Sequence, residues 1–126
     1  MEEPTQLDFE AAAEDYKAGR GKMEAGSISS AIVLFERSVT AFPHFKTLEL
    51  LGECRLLLGQ PLAAVVPLAA AVGLGTNEFR ATYLLAKALS EIGLKREALK
   101  HVERALAMNP NFASAKKFKK TLDDKP

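Results

Sequence analysis

Residues 45–75 read FKTLELLGECRLLLGQPLAAVVPLAAAVGLG. The run breaks at Gly59-Gln60-Pro61. Glycine permits a left-handed backbone and proline suits the first turn of a new helix, so two short helices should face each other across this turn. The second helix, 61–73, carries no charged residue. An apolar helix of that kind needs neighbours on more than one side. The stretch reads as the middle member of three stacked helical hairpins.

The same punctuation recurs on either side. Gly59 and Gly93 are 34 residues apart, and Gly26 precedes Gly59 by 33. A small residue stands seven before each glycine: Gly19, Gly52 and Ala86. Ala31, Ala64 and Ala98 follow each by five. Phe35, Leu68 and Val102 come four later, then Ser38, Ala71 and Ala105. Small residues at fixed points let helices approach closely, and stacked pairs of this period share one continuous core.

The rest of the chain fits that frame. Thr5 with Asp8 marks a helix start. Phe9, Ala12, Ala13, Tyr16 and Gly19 then recur at helical spacing, predicting a helix to about Glu24. Ser27 caps a second helix that stops before Phe42-Pro43. Residues 44–58 form the third and 61–73 the fourth, in which Pro67 should kink or open the backbone. Thr76 or Asn77 starts the fifth, which ends near Ile92. The sixth covers 95–108, and Asn109-Pro110 ends it. Residues 112–122 make a seventh, with Phe112, Ala115, Phe118 and Leu122 inward and Lys116, Lys117, Lys119 and Lys120 outward.

On these residues the chain resembles the tetratricopeptide repeat (TPR) family. Residues 79–112 match best, with Leu85-Ala86, Gly93, Ala98, Ala105 and Pro110. Residues 45–78 carry Leu51-Gly52, Gly59, Ala64 and Ala71, with Thr76 where proline is usual. Residues 12–44 carry Gly19, Ala31, Phe35 and Pro43. The large aromatic near each repeat's start is replaced by Asp15, Leu48 and Thr82. The resemblance implies an all-α, right-handed superhelical stack of antiparallel helix pairs, about seven helices in all. One domain is expected over 5–122, with 112–122 as its capping helix and flexible ends at 1–4 and 123–126.

Composition narrows the function classes. Net charge is +1, so no global basic field points to nucleic acid or anionic membrane. The acidic start MEEPTQLDFE has no apolar signal segment. Glycine and prolines cut the longest uncharged run below bilayer-spanning length. A cytoplasmic protein without membrane insertion is expected. Cys54 stands alone and reads as a buried, inert thiol. His44 and His101 lack the i+4 partner of a helical metal site. Gly19-Arg20-Gly21-Lys22 lacks the earlier glycine and the following Ser/Thr of a phosphate loop. The lysines at 116–120 lack interleaved exposed aromatics, so a solvated face is preferred to a nucleic-acid site. No cofactor, metal or catalytic group is expected.

Two surfaces remain for a protein partner. In the family the first helix of each pair lines a concave groove. Here that face would hold Tyr16, Arg20 and Met23, then Lys46, Glu49, Glu53 and Leu56, then Arg80, Tyr83, Lys87 and Ser90. Two tyrosines among mixed charges suit an extended peptide or a partner helix. Some members clamp acidic chaperone tails, but the matching positions are Tyr16, Arg20, Leu50, Arg80 and Leu84. Only Arg80 is compatible, and that reading is rejected. The second surface is convex. Val33, Leu34, Leu62, Val66, Pro67 and Ala70 stand where a solvent face should be polar, which points to a docked partner or a homodimer. The resemblance thus implies a non-enzymatic adaptor or scaffold. The alternative is a dedicated chaperone resembling the three-repeat chaperones of bacterial type III secretion. Tyr83→Ala or Arg80→Glu is expected to weaken partner capture with little change in thermal stability.

Overall fold

Three glycines turn the chain back on itself. Gly26, Gly59 and Gly93 have φ of +81°, +71° and +90°, a region that side chains disfavour. At each turn the two amides after the helix bond back to its last carbonyls. Ser27 N–H donates to Lys22 O and Gly26 N–H to Met23 O. Gln60 and Gly59 repeat this to Arg55 and Leu56, and Leu94 and Gly93 to Leu89 and Ser90. These paired bonds satisfy carbonyls that a helix end leaves orphaned.

The computed structural model describes residues 3–75 and 77–124. Its helices are α1 (Gln6–Glu24), α2 (Ile28–Ala41), α3 (Phe45–Leu57), α4 (Pro61–Leu74), α5 (Phe79–Glu91), α6 (Lys95–Met108) and α7 (Ala113–Asp124). No strand occurs among the described residues. They pair as α1/α2, α3/α4 and α5/α6, each pair stacking on the next, with α7 against α6. This is the expected all-α solenoid. No helix among the described residues is long and apolar enough to cross a membrane.

The predicted boundaries hold to within about two residues. Thr5 Oγ1 accepts from the Asp8 N–H at 3.1 Å, and Asp8 Oδ2 accepts from the Thr5 N–H at 2.8 Å, a complete capping box. Ser27 occupies the cap of α2 without a side-chain bond. The fifth helix begins at Phe79 because Asn77 sits at φ +60°, outside helical space. The Thr76 start lies outside the described residues, as do residues 1, 2, 125 and 126. At the other end α7 continues to Asp124, past the expected end at Leu122.

The glycines seven before each turn explain the close pairing. A Cβ on Gly19 would stand 2.6 Å from the Phe35 ring, and one on Gly52 would stand 2.4 Å from Leu68. Phe35 and Leu68 are completely buried. The third pair solves the problem with a smaller partner. Ala86 has its Cβ, and Val102 replaces the larger side chain in the same cluster. Polar ties add to this packing. The buried Ser38 hydroxyl donates to Ala12 O at 2.7 Å. Arg37 pairs with Asp15 at 3.3 Å, so one of the substituted aromatic positions became an ion-pair site. At another, buried Thr82 donates to Glu78 O at 2.7 Å.

One expectation needs correction. Pro67 does not point outward. It is buried on the stripe Ala64, Pro67, Leu68 and Ala71. These positions recur at three and four residues and define the inner face. The helix also continues unbroken through Pro67.

Candidate functional site

The first helices of successive pairs meet side by side, and their contacts build one surface. Between α1 and α3 lies a cleft of about 230 Å³, lined by Phe9, Ala12, Ala13, Tyr16, Ser38, Phe42, His44, Lys46 and Thr47. Phe9 and Phe42 meet edge to face with centroids 5.2 Å apart. His44 sits at the mouth. It caps α3, its Nδ1 accepting from the Lys46 N–H at 3.1 Å, and its ring stacks on Phe45. Further along the same two helices a second, more open hollow is lined by Arg20, Met23, Glu24 and Leu50.

Between α3 and α5 the surface is ionic. Glu49 accepts from Lys46 Nζ at 2.9 Å and from Arg80 Nη1 at 3.0 Å. Arg80 Nη2 donates to Glu53 at 2.9 Å. The Glu53 carboxylate, with Glu49 behind it, holds the Arg80 guanidinium above its usual range despite partial burial. Two cations and two carboxylates close on one another, so little net charge remains for a visitor. Between α5 and α7 the surface is aromatic. Tyr83 meets Phe112 and Phe118 at 5.1 and 6.0 Å, and Lys87 Nζ lies 5.7 Å from the Tyr83 centroid.

The structure therefore places the expected groove residues in three different situations. Tyr16, Arg20, Met23, Lys46, Glu53, Arg80, Tyr83 and Lys87 all retain some exposure. Arg20 lies 6.0 Å from the Tyr16 centroid and pairs with Glu24 at 3.7 Å. Glu49 departs from expectation. Its side chain is 1% exposed, beneath its two cations instead of on the surface. Leu56 packs against the core of the second and third pairs. Tyr83 and Arg80 are structural contacts as well as surface, so the expectation of a small stability effect at these positions is not supported. The cleft itself was missed. Phe9 and Phe42 read as helix stripe and helix stop, and nothing local in sequence says that a loop phenylalanine returns to α1.

On the other side, Leu62 and Val66 are 72% and 75% exposed, and Val33 is 55% exposed. Leu34 is half-buried. Ala70 packs partly against Leu48, Ala71 and Ala81. With Pro67 inside, the apolar convex face shrinks to Val33, Leu62, Val66 and exposed alanines.

Burial pushes the Cys54 thiol up to about 11, and neighbouring Glu53 adds to the rise. A thiol held protonated is a poor nucleophile and ligand. His101 Nδ1 lies 2.8 Å from Glu97 O on its own helix. No three His, Cys, Asp or Glu side chains gather as a metal site among the described residues.

Known proteins resemble this arrangement. A family profile described as anaphase-promoting complex, cyclosome, subunit 3 matches residues 24–105. The first TPR domain of Spaghetti (RPAP3), solved with the HSP90 peptide SRMEEVD, superposes with a TM-score of 0.88 at 20% identity, covering 91% of this chain and 92% of that one. The Arabidopsis OM64 TPR domain gives 0.88 at 17% identity, covering 91% and 96%. MamA gives 0.79 at 30% identity over 84% of this chain, which spans 63% of the MamA chain. No curated protein matches the sequence significantly.

Proposed function

The chain belongs to the tetratricopeptide-repeat family, through the profile for anaphase-promoting complex subunit 3, and we propose that it is a non-enzymatic interaction module that holds a peptide or helix of a partner protein along α1, α3 and α5. The observation that carries this reading is the aromatic-walled cleft between α1 and α3. It is continuous with the ionic strip, because Lys46 belongs to both. A concave apolar site with a few polar groups at its mouth is the usual form of a recognition pocket. The surface is already in place, so the ordering cost of binding falls on the partner.

The relative solved with an HSP90 peptide supports the class of ligand, a peptide, but not its chemistry. The positions that would clamp an acidic tail are Tyr16, Arg20, Leu50, Arg80 and Leu84. Arg80 is held by two carboxylates of its own chain, and Leu84 is buried. An acidic tail would have to displace Glu49 and Glu53.

Affinity capture from native lysate tests the proposal. Ala13 is exposed at the cleft, so Ala13→Trp should fill it without unfolding the chain. The expected result is that Ala13→Trp and Arg20→Glu lose a protein that wild type and Val66→Glu retain. Loss only with Val66→Glu would move the working surface to the convex side. The exposed Leu62–Val66 face supports the chaperone alternative, whose mark would be self-association that an extended client dissolves.

A further inference from the structure

Charge is unevenly distributed along the stack. Residues 3–16 contain five carboxylates, Glu3, Asp8, Glu10, Glu14 and Asp15, and no base. Residues 95–120 contain eight bases and two carboxylates. A chain with net charge +1 is thus acidic over the first half of α1, before Lys17, Arg20 and Lys22, and basic at the other end.

The fold turns this sequence asymmetry into two faces. Because each pair packs on the next, α1 and α7 stand at opposite ends of the stack. Helical spacing puts Ala12 and Gly19 of α1 inward. Leu7, Glu10 and Glu14 lie opposite them and are exposed. On α7, Ala115 and Leu122 point inward. Lys117 and Lys120 lie opposite and are exposed, with Lys116 beside them. Among the described residues Lys116, Lys117 and Lys120 hold no ion pair, whereas Lys119 is occupied by Asp123 at 3.0 Å. Glu14 likewise has no ion-pair partner, and Asp15 is spent on Arg37.

We infer that the outer face of α7 docks on the outer face of α1 of a second copy, joining the chains head to tail. The contact uses two different surfaces, so it leaves one acidic and one basic end free and can propagate. Leu7, 76% exposed among the carboxylates, supplies the apolar contact. The reverse pairings, α1 on α1 or α7 on α7, would set like charges together. This inference uses neither the cleft nor the ionic strip and stands apart from the proposed function.

Sedimentation velocity of the full chain tests it. At about 20 mM and about 500 mM salt the screening lengths are about 20 Å and about 4 Å. Wild type should form dimers and longer species at low salt and monomers at high salt. Glu10→Lys with Glu14→Lys, and separately Lys117→Glu with Lys120→Glu, should weaken association about tenfold or more. Each variant alone carries two ends of like charge, and each end is complementary to those of the other variant, so an equal mixture should associate where neither does alone. A chain carrying all four reversals should associate again, which also shows that the variants fold. Monomeric wild type at low salt overturns the inference. So does association that survives both end variants, or association that only Val66→Glu removes, which would place the contact on α4.

Discussion

Gly52 lacks a side chain because Leu68 fills the space. Gly52→Ala would push a methyl to within 2.4 Å of Leu68, and nothing in the interior can move far. We expect a loss of about 1–3 kcal/mol in urea unfolding. Gly52→Ala with Leu68→Val should recover much of it, since the third pair already uses Ala86 with Val102. A double-mutant cycle that shows no coupling would contradict this. Gly21 is the control. No atom outside its own helix lies near its Cβ position, so Gly21→Ala should gain about 0.5–1 kcal/mol from propensity alone. At Arg80 the structure reverses the sequence expectation. Arg80→Ala leaves buried Glu49 with Lys46 alone and should cost about 1–3 kcal/mol. Chemical denaturation with unchanged stability would show that the network is dispensable. Cys54 gives a pH test. Its folded pKa lies above the unfolded value, so the stability it confers is full below about pH 9 and is lost as pH rises towards about 11. Cys54→Ala should flatten that alkaline loss.

Among the elements, α1 and α7 are held differently. The α1 start rests on the Thr5–Asp8 box. Asp8 is hydrogen-bonded by the Thr5 backbone and hydroxyl, which hold its carboxyl below the usual range. The cap is therefore intact above the ordinary carboxylate pKa and is lost as pH falls through the depressed one. Thr5→Ala should lower stability by about 1 kcal/mol at neutral pH. The α7 helix is held by the ring cluster of Tyr83, Phe112 and Phe118. Phe118→Ala should raise hydrogen exchange in α7 well before α1 and α2 respond. Uniform exchange along the chain would mean that the stack opens as one unit. The helices and their turns were legible in sequence because glycine, proline and small residues act locally, at fixed offsets. Pro67 was misread for the same reason. It was grouped with Leu62, Val66 and Ala70 on the outer face, whereas the buried stripe of α4 runs through it.

At the scale of the molecule, a stack of near-identical pairs explains why the family was readable and the site only partly so. Core positions recur every turn of the repeat, and each recurrence reinforces the reading. Surface contacts occur once. The return of Phe42 to Phe9, the capping role of His44 and the burial of Glu49 under Arg80 depend on neighbours 31 or 33 residues away or on loop geometry, and no periodicity announces them. The same uniqueness is what lets such surfaces discriminate partners. Photo-crosslinking in native lysate is the most direct measurement, with a photoreactive phenylalanine at Ala13 in the cleft or at Val66 on the opposite side. The expected result is a partner adduct at Ala13, competed away by unlabelled wild-type chain, and none at Val66. A competed adduct at Val66 with none at Ala13 would contradict the groove as the working surface.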